Sequence, residues 1–199
     1  MTTISLLGCG LMGTPMATRL LNHGYTLTAW NRTRSKADAL AAKGARVADT
    51  PAQAVVDADI VITMLEHGGV VEDVLFNPAL PGASLGLKAG ALVIDMSSIL
   101  PEQAQAHGPR LAAQGVAYLD APVSGGTVGA EAGTLAIMAG GAEADFERAR
   151  PVLEVLGRPV HVGPTGSGQL TKLANQMIVG ITIGAVAEAL LLAQRGGAD

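Results

Sequence analysis

The sequence predicts an α/β chain: a doubly wound, mostly parallel sheet followed by one long C-terminal helix. Three observations carry this. Apolar strand-like runs alternate with segments of helical spacing, the pattern of repeated β-α-β units. Apolar residues make up 49% of the 199 and charged residues only 15%, which suits strands buried on both faces and excludes a disordered chain. Glycine is abundant, 26 residues with no collagen period, and points to tight turns and close backbone approach.

The elements follow in order. Residues 4–7 form an apolar run that stops at Gly8. Residues 11–21 have helical spacing, with Met12, Met16 and Leu20 on one side and Gly24 as the C-cap. Residues 26–30 read as a strand, 35–43 as a helix closed by Gly44, and Val47 as the centre of a short strand. Thr50 and Pro51 are an N-cap and a first-turn proline. Strands are predicted over 60–65, 91–96 and 117–119, and helices over 70–76 and 101–114, the latter ending at Gly115. Residues 135–139 and 160–162 are strands around a helix over 143–156. From about Gly166 to Arg195 there is no proline, and the pattern is one helix, apolar nearly all round over its second half. Such a helix must be covered on several sides. Two units are therefore expected: residues 1–163 as a nucleotide-binding domain, and 164–199 as the start of a long interdomain helix.

Composition removes several function classes. With 13 Lys and Arg against 17 Asp and Glu, the net charge is −4, and the basic footprint of a nucleic-acid binder is missing. Aromatic residues are 3%, too few for stacking platforms. One cysteine, Cys9, excludes an intramolecular disulfide and any CxxC metal site. His23, His67, His107 and His161 are dispersed with no HxxxH spacing, so no metal site is predicted. The first residues carry no basic segment ahead of the apolar run, unlike a signal peptide. The uncharged stretch 177–187 is broken by Glu188 and is short for a membrane span. A cytoplasmic protein with no membrane partner is the expectation.

The first strand runs into Gly8-Cys9-Gly10-Leu11-Met12-Gly13, and a helix opens at once. This is G-x-G-x-x-G in the strand–turn–helix setting that dinucleotide binding requires. Gly8 allows the tight turn, Gly10 lets the backbone approach a pyrophosphate, and Gly13 lets helix and strand pack closely. Leu11 and Met12 lie between them, where free N–H groups and the helix dipole favour anions. The end of the second strand selects the dinucleotide. A carboxylate there would bind a ribose 2′-hydroxyl, but the chain has Trp30-Asn31-Arg32-Thr33. Arg32 can pair with a 2′-phosphate, Asn31 and Thr33 can donate to it, and Lys36 stands one turn further on. NADP is favoured over NAD. An ordinary helix N-cap also explains Thr33, and a solvated charge is the competing reading of Arg32.

Lys172 and Asn175 are three apart on the last helix and share a face. An ammonium there can protonate a carbonyl oxygen, and the amide can hold the substrate or orient the lysine. Ser124-Gly125-Gly126 is a short loop after a strand whose N–H groups can bind a carboxylate. A solvated lysine and a plain turn are the competing readings.

These segments resemble the β-hydroxyacid dehydrogenases, of Rossmann type. The resemblance rests on GCGLMGTPMA from Gly8, Asp95-Met96-Ser97-Ser98, Asp120-Ala121-Pro122-Val123-Ser124-Gly125-Gly126, and GSGQLTKLANQ from Gly166, all in family order. DMSSILP and KLANQ are similar to the tartronate semialdehyde (2-hydroxy-3-oxopropionate) reductases, and Asn31-Arg32-Thr33 to NADP-using glyoxylate and imine reductases. The resemblance implies hydride transfer between NADP and a small β-hydroxy acid or aldehyde acid. It implies Lys172 as acid/base, with Ser124 to Gly126 and Asn175 on the substrate. Ser97 and Ser98 would lie near the nicotinamide, and Met64 and Leu65 would touch the cofactor through their backbone. It also implies an all-helical second domain beyond this chain, and the uncovered last helix predicts self-association. A cofactor-binding module without turnover is the alternative from another class.

Overall fold

The computed structural model describes residues 2–198. Its first half alternates strand and helix: β1 (Thr3–Leu7), α1 (Gly13–Asn22), β2 (Thr26–Trp30), α2 (Arg34–Ala41), β3 (Arg46–Val47), α3 (Pro51–Val55), β4 (Ile60–Thr63), α4 (Gly68–Phe76), β5 (Leu92–Asp95), α5 (Pro101–Ala112) and β6 (Ala117–Asp120). The second half adds β7 (Val123–Ser124), α6 (Gly126–Ala132), β8 (Leu135–Gly140), α7 (Glu143–Leu156), β9 (Gly157–Gly163) and α8 (Ser167–Arg195).

The strands form one sheet in the order β3-β2-β1-β4-β5-β6-β8-β7, with β9 on the other side of β8. Pairing is parallel from β3 to β6. β8 then runs antiparallel to β6 and β7 and parallel to β9. The strand order turns back on itself between β1 and β4, and ligands of open α/β sheets bind beyond the carboxyl ends at such a reversal.

Successive strand residues point to opposite faces, and this builds two cores. Ile4, Leu6, Ile60, Ile62, Leu92 and Ile94 meet Met16 and Leu20 of α1 and Phe146 and Leu153 of α7. Leu7, Val61 and Val93 meet Val55 of α3, Val71 and Leu75 of α4, and Leu111 of α5. Both faces are covered, which is why these strands carry apolar residues at consecutive positions. Thr50 caps α3 as the sequence suggests, its Oγ1 accepting from the Gln53 N–H at 3.2 Å.

One segment departs from the sequence reading: the residues after β6, which read as a short loop, contain a strand, β7, and the short helix α6. The last helix runs to Arg195, as its pattern predicts. α8 is 29 residues long and includes an 18-residue window of mean hydropathy 1.9. By length and composition alone it is therefore long enough to cross a bilayer. Only its first turns are packed. Gly168 and Gln169 are buried, and from Gln176 to Ala198 every residue is exposed, including Met177, Ile181, Leu190 and Leu192.

Candidate active site

Three chain turns converge at the carboxyl ends of β1, β2 and β4. The Gly8 N–H donates to the Trp30 carbonyl at 2.9 Å, and the Met64 N–H donates to the Leu7 carbonyl at 2.9 Å. They border a cleft of about 260 Å³ lined by Gly8, Gly10, Asn31, Arg32, Thr33, Lys36, Met64 and Leu65, eight residues singled out for the dinucleotide. The opposite wall comes from α4 and the loop after it, with Val70, Val74 and Leu80 among its residues. Sequence reasoning did not assign that wall. Val70 and Val74 are four apart on one helix face, a signal that in isolation reads as core.

The three glycines of the loop have different jobs. Gly8 sits at φ +111°, and a Cβ there would lie 2.2 Å from the Met64 carbonyl oxygen. A Cβ on Gly13 would lie 1.9 Å from the Gly8 carbonyl oxygen. Both are required by packing. A Cβ on Gly10 would meet nothing within 4 Å, so its bare backbone fronts open space at the cleft, where a pyrophosphate fits. Gly13 is buried beneath the loop and supports it. Leu11 is exposed and Met12 half-buried where the helix begins.

Asn31 is partly engaged. Its Oδ1 accepts from the Cys9 N–H at 3.0 Å, and its Nδ2 donates to the Thr33 carbonyl at 2.9 Å. The side chain ties the glycine loop to the end of β2, and one N–H of its amide is left for a ligand in the cleft. Arg34 is likewise engaged, with Asp38 and Asp49. Arg32 and Lys36 are exposed and have no ion-pair partner among the described residues. Thr33 occupies the N-cap position of α2, yet its hydroxyl makes no capping bond. Two cations and one hydroxyl therefore stand unspent at the spot where a 2′-phosphate would lie. Cys9 is buried, and desolvation pushes its thiol up to about 12, consistent with an inert filler.

The β5 and β6 ends hold a buried polar network. Asp95 is fully buried and accepts from Thr63 Oγ1 at 2.7 Å and from the Ser97 N–H at 3.0 Å. Burial raises its pKa against the pull of those donors. Ser97 lies behind the cleft rather than in its lining. It too is fully buried, and its Oγ accepts from the Leu65 N–H at 2.9 Å. Ser97 thus fixes the cleft wall from behind, whereas Ser98 is exposed and free to touch a cofactor. Asp120 caps α8, with Oδ1 accepting from the Gly166 N–H at 2.7 Å and Oδ2 from the Gln169 N–H at 2.9 Å.

That cap aims α8 across the carboxyl end of the sheet. Asn175 Nδ2 donates to Ser124 Oγ at 3.4 Å, which joins two of the predicted substrate groups. Gly125 and Gly126, at φ +132° and +61°, are exposed beside them. Lys172 is half-buried one turn earlier and has neither an ion pair nor a hydrogen-bond acceptor among the described residues. Desolvation lowers its pKa. No group of three or more His, Cys, Asp or Glu able to hold a metal occurs among the described residues.

Residues 3–166 match the NAD binding domain of 6-phosphogluconate dehydrogenase, and residues 166–199 match the NAD-binding segment of NADP-dependent 3-hydroxyisobutyrate dehydrogenase. The chain belongs to the β-hydroxyacid dehydrogenase family. Among its relatives, the 2-hydroxy-3-oxopropionate reductase of Escherichia coli (strain K12) is 43% identical over 98% of this chain and 66% of its own length. The 2-(hydroxymethyl)glutarate dehydrogenase of Eubacterium barkeri is 41% identical over 98% of this chain and 64% of its own. The solved 3-hydroxyisobutyrate dehydrogenase of Mycobacterium tuberculosis, in complex with L-serine, superposes with a TM-score of 0.92 at 38% identity, over 100% of this chain and 67% of that one. The chain thus spans about two thirds of the length of these β-hydroxyacid dehydrogenases.

Proposed function

We propose that this protein is an NADP-dependent oxidoreductase acting on a small β-hydroxy acid or the matching aldehyde acid. One observation carries the reading. A glycine loop suited to a pyrophosphate, with Arg32 and Lys36 unspent at its ribose end, shares one end of the sheet with Lys172, Asn175 and Ser124.

When bound, the nicotinamide supplies or receives the hydride. The chain's own residues do the rest. Lys172 donates a proton to the carbonyl oxygen as reduction proceeds and takes one from the hydroxyl in the reverse direction. Its partial burial makes the ammonium a stronger acid than an exposed lysine. The Asn175 amide, steadied by Ser124, holds the substrate oxygen. The backbone N–H groups of Gly125 and Gly126, with no side chain in the way, receive the substrate carboxylate. Arg32 pairs with the 2′-phosphate, aided by Thr33 and Lys36.

The long apolar surface of α8 supports a further part of the reading, that the protein self-associates through this helix; a cytoplasmic location is proposed with it. The test of function is a panel of tartronate semialdehyde, 3-hydroxyisobutyrate, glyoxylate and succinic semialdehyde with each cofactor. Turnover of at least one acid, faster with the phosphorylated cofactor, is expected. NADPH binding with no turnover of any would favour a non-catalytic module.

A further inference from the structure

Gln169 is 1% exposed, although glutamine is seldom buried. Its Oε1 accepts from the Ile99 N–H at 3.1 Å, and its Nε2 donates to the Ser97 carbonyl at 2.8 Å. Its own N–H is held by Asp120. Ser97 in turn accepts from the Leu65 N–H through Oγ, and Leu65 lines the dinucleotide cleft. A continuous set of buried hydrogen bonds therefore runs from the cleft wall through residues 97–99 into the first turn of α8. Lys172 lies three residues further along, on the same side of that helix.

We propose that Gln169 is a positioning residue that registers Lys172 and Asn175 against the cofactor cleft; this rests on the function proposed above. A carboxamide presents one acceptor and one donor in a plane to an N–H and a C=O without needing a proton from solution. Leucine would satisfy neither, and an ionised carboxylate would accept from Ile99 but face the Ser97 carbonyl with no proton to give. The helix carries no other tie to residues 97–99 among the described side-chain hydrogen bonds. Losing the amide frees the first turn to shift, and displacement of a reacting group by about 1 Å costs on the order of 10²-fold in rate.

The test uses the full-length protein with NADPH and tartronate semialdehyde. Gln169→Leu should bind NADPH within threefold of wild type while kcat falls about 10- to 100-fold. Gln169→Glu keeps the shape and restores the missing donor only when protonated. Its charged neighbours are Asp120 of β6 and, one turn along, Lys172, with Asp95 reaching the same loop through the Ser97 N–H. Its kcat should recover toward wild type at pH 6 and drop at pH 8.5 more steeply than in wild type or Gln169→Leu, which share the titrations of Asp120 and Lys172 but lack that of residue 169. A kcat for Gln169→Leu within twofold of wild type, a parallel loss of NADPH affinity, or identical pH profiles for the two variants would overturn the proposal. If the wild type itself turns over none of the acids, the proposed function fails instead. Amide hydrogen exchange in the NADP⁺ complex then decides the positioning role. Gln169→Leu should speed exchange at Ile99 and across residues 172–175 together, and a change at Ile99 alone would refute it.

Discussion

Asp120 ties α8 to the sheet through a buried carboxylate, and stability should record this as a pH dependence. Burial pushes its pKa up to about 6, against the pull of the Gly166 and Gln169 N–H groups. In the unfolded chain an aspartate titrates near 3.9. The folded state therefore holds the proton more tightly, and stability is fullest below the unfolded pKa and lost as pH rises through the folded one. The whole effect is about 2 units, or roughly 3 kcal/mol at 1.36 kcal/mol per unit. About 2 kcal/mol of it falls between pH 4.5 and 7.5. Asp120→Asn removes the titration. It also leaves one of the two N–H groups facing an NH₂, a cost that does not vary with pH. Urea unfolding of both proteins from pH 4.5 to 7.5 isolates the residue together with its coupling to Asp95, because groups remote from it cancel in the difference. The advantage of wild type over Asp120→Asn should shrink by about 2 kcal/mol across that range. Parallel curves would show that Asp120 stays ionised throughout, and that its two N–H donors outweigh its burial.

Three further outcomes are expected. Arg32→Ala should weaken NADPH binding by about tenfold to a hundredfold, the worth of a charge-assisted bond of roughly 1.5–3 kcal/mol, and leave NADH unchanged; equal losses by titration calorimetry would remove the 2′-phosphate role. Gly13→Ala, whose Cβ would collide with the Gly8 carbonyl, should lower Tm by about 5 °C. Gly10→Ala has room in the free protein, so it should keep its Tm and lose dinucleotide affinity, and matching melting curves for the pair would contradict this division of labour. Ile181, 69% exposed on α8, should lie in a self-association surface; Ile181→Glu should lower the mass seen by light scattering, and a wild type that is monomeric at high concentration would refute the association.

Much of this was legible in the sequence because its causes are local. The glycine loop follows from steric limits within six residues, and the β-α alternation from side-chain periodicity. β7 and α6 were not legible, since a two-residue strand exists only through its pairing with β8, and α6 offers seven residues rich in Gly and Ala. The site was legible as residue types but not as occupancy. Asn31 and Ser97 carry suitable polar groups, yet the fold spends the side-chain oxygen of each on a backbone amide of a neighbouring loop. Gln169 stands in the motif that suggested the family, but its role depends on a loop 70 residues away in sequence, which no local pattern reveals. The exposure of α8 was anticipated from its all-round apolar pattern, because no polar face can be drawn on it. Its extent to Arg195 was legible too, whereas its apolar span reads as short only because Glu188 interrupts the uncharged run without interrupting the helix.

In the proposed reaction this site reduces an aldehyde acid with Lys172 as its proton donor. NADPH carrying deuterium at both C4 positions, incubated with tartronate semialdehyde and the full-length protein, follows that hydride. Mass spectrometry should find one deuterium on C3 of the glycerate formed. Lys172→Ala should still bind NADPH while the labelled product falls by about 10²- to 10⁴-fold. Bound NADPH with no label in the product, or label transferred at the wild-type rate by Lys172→Ala, would contradict the account.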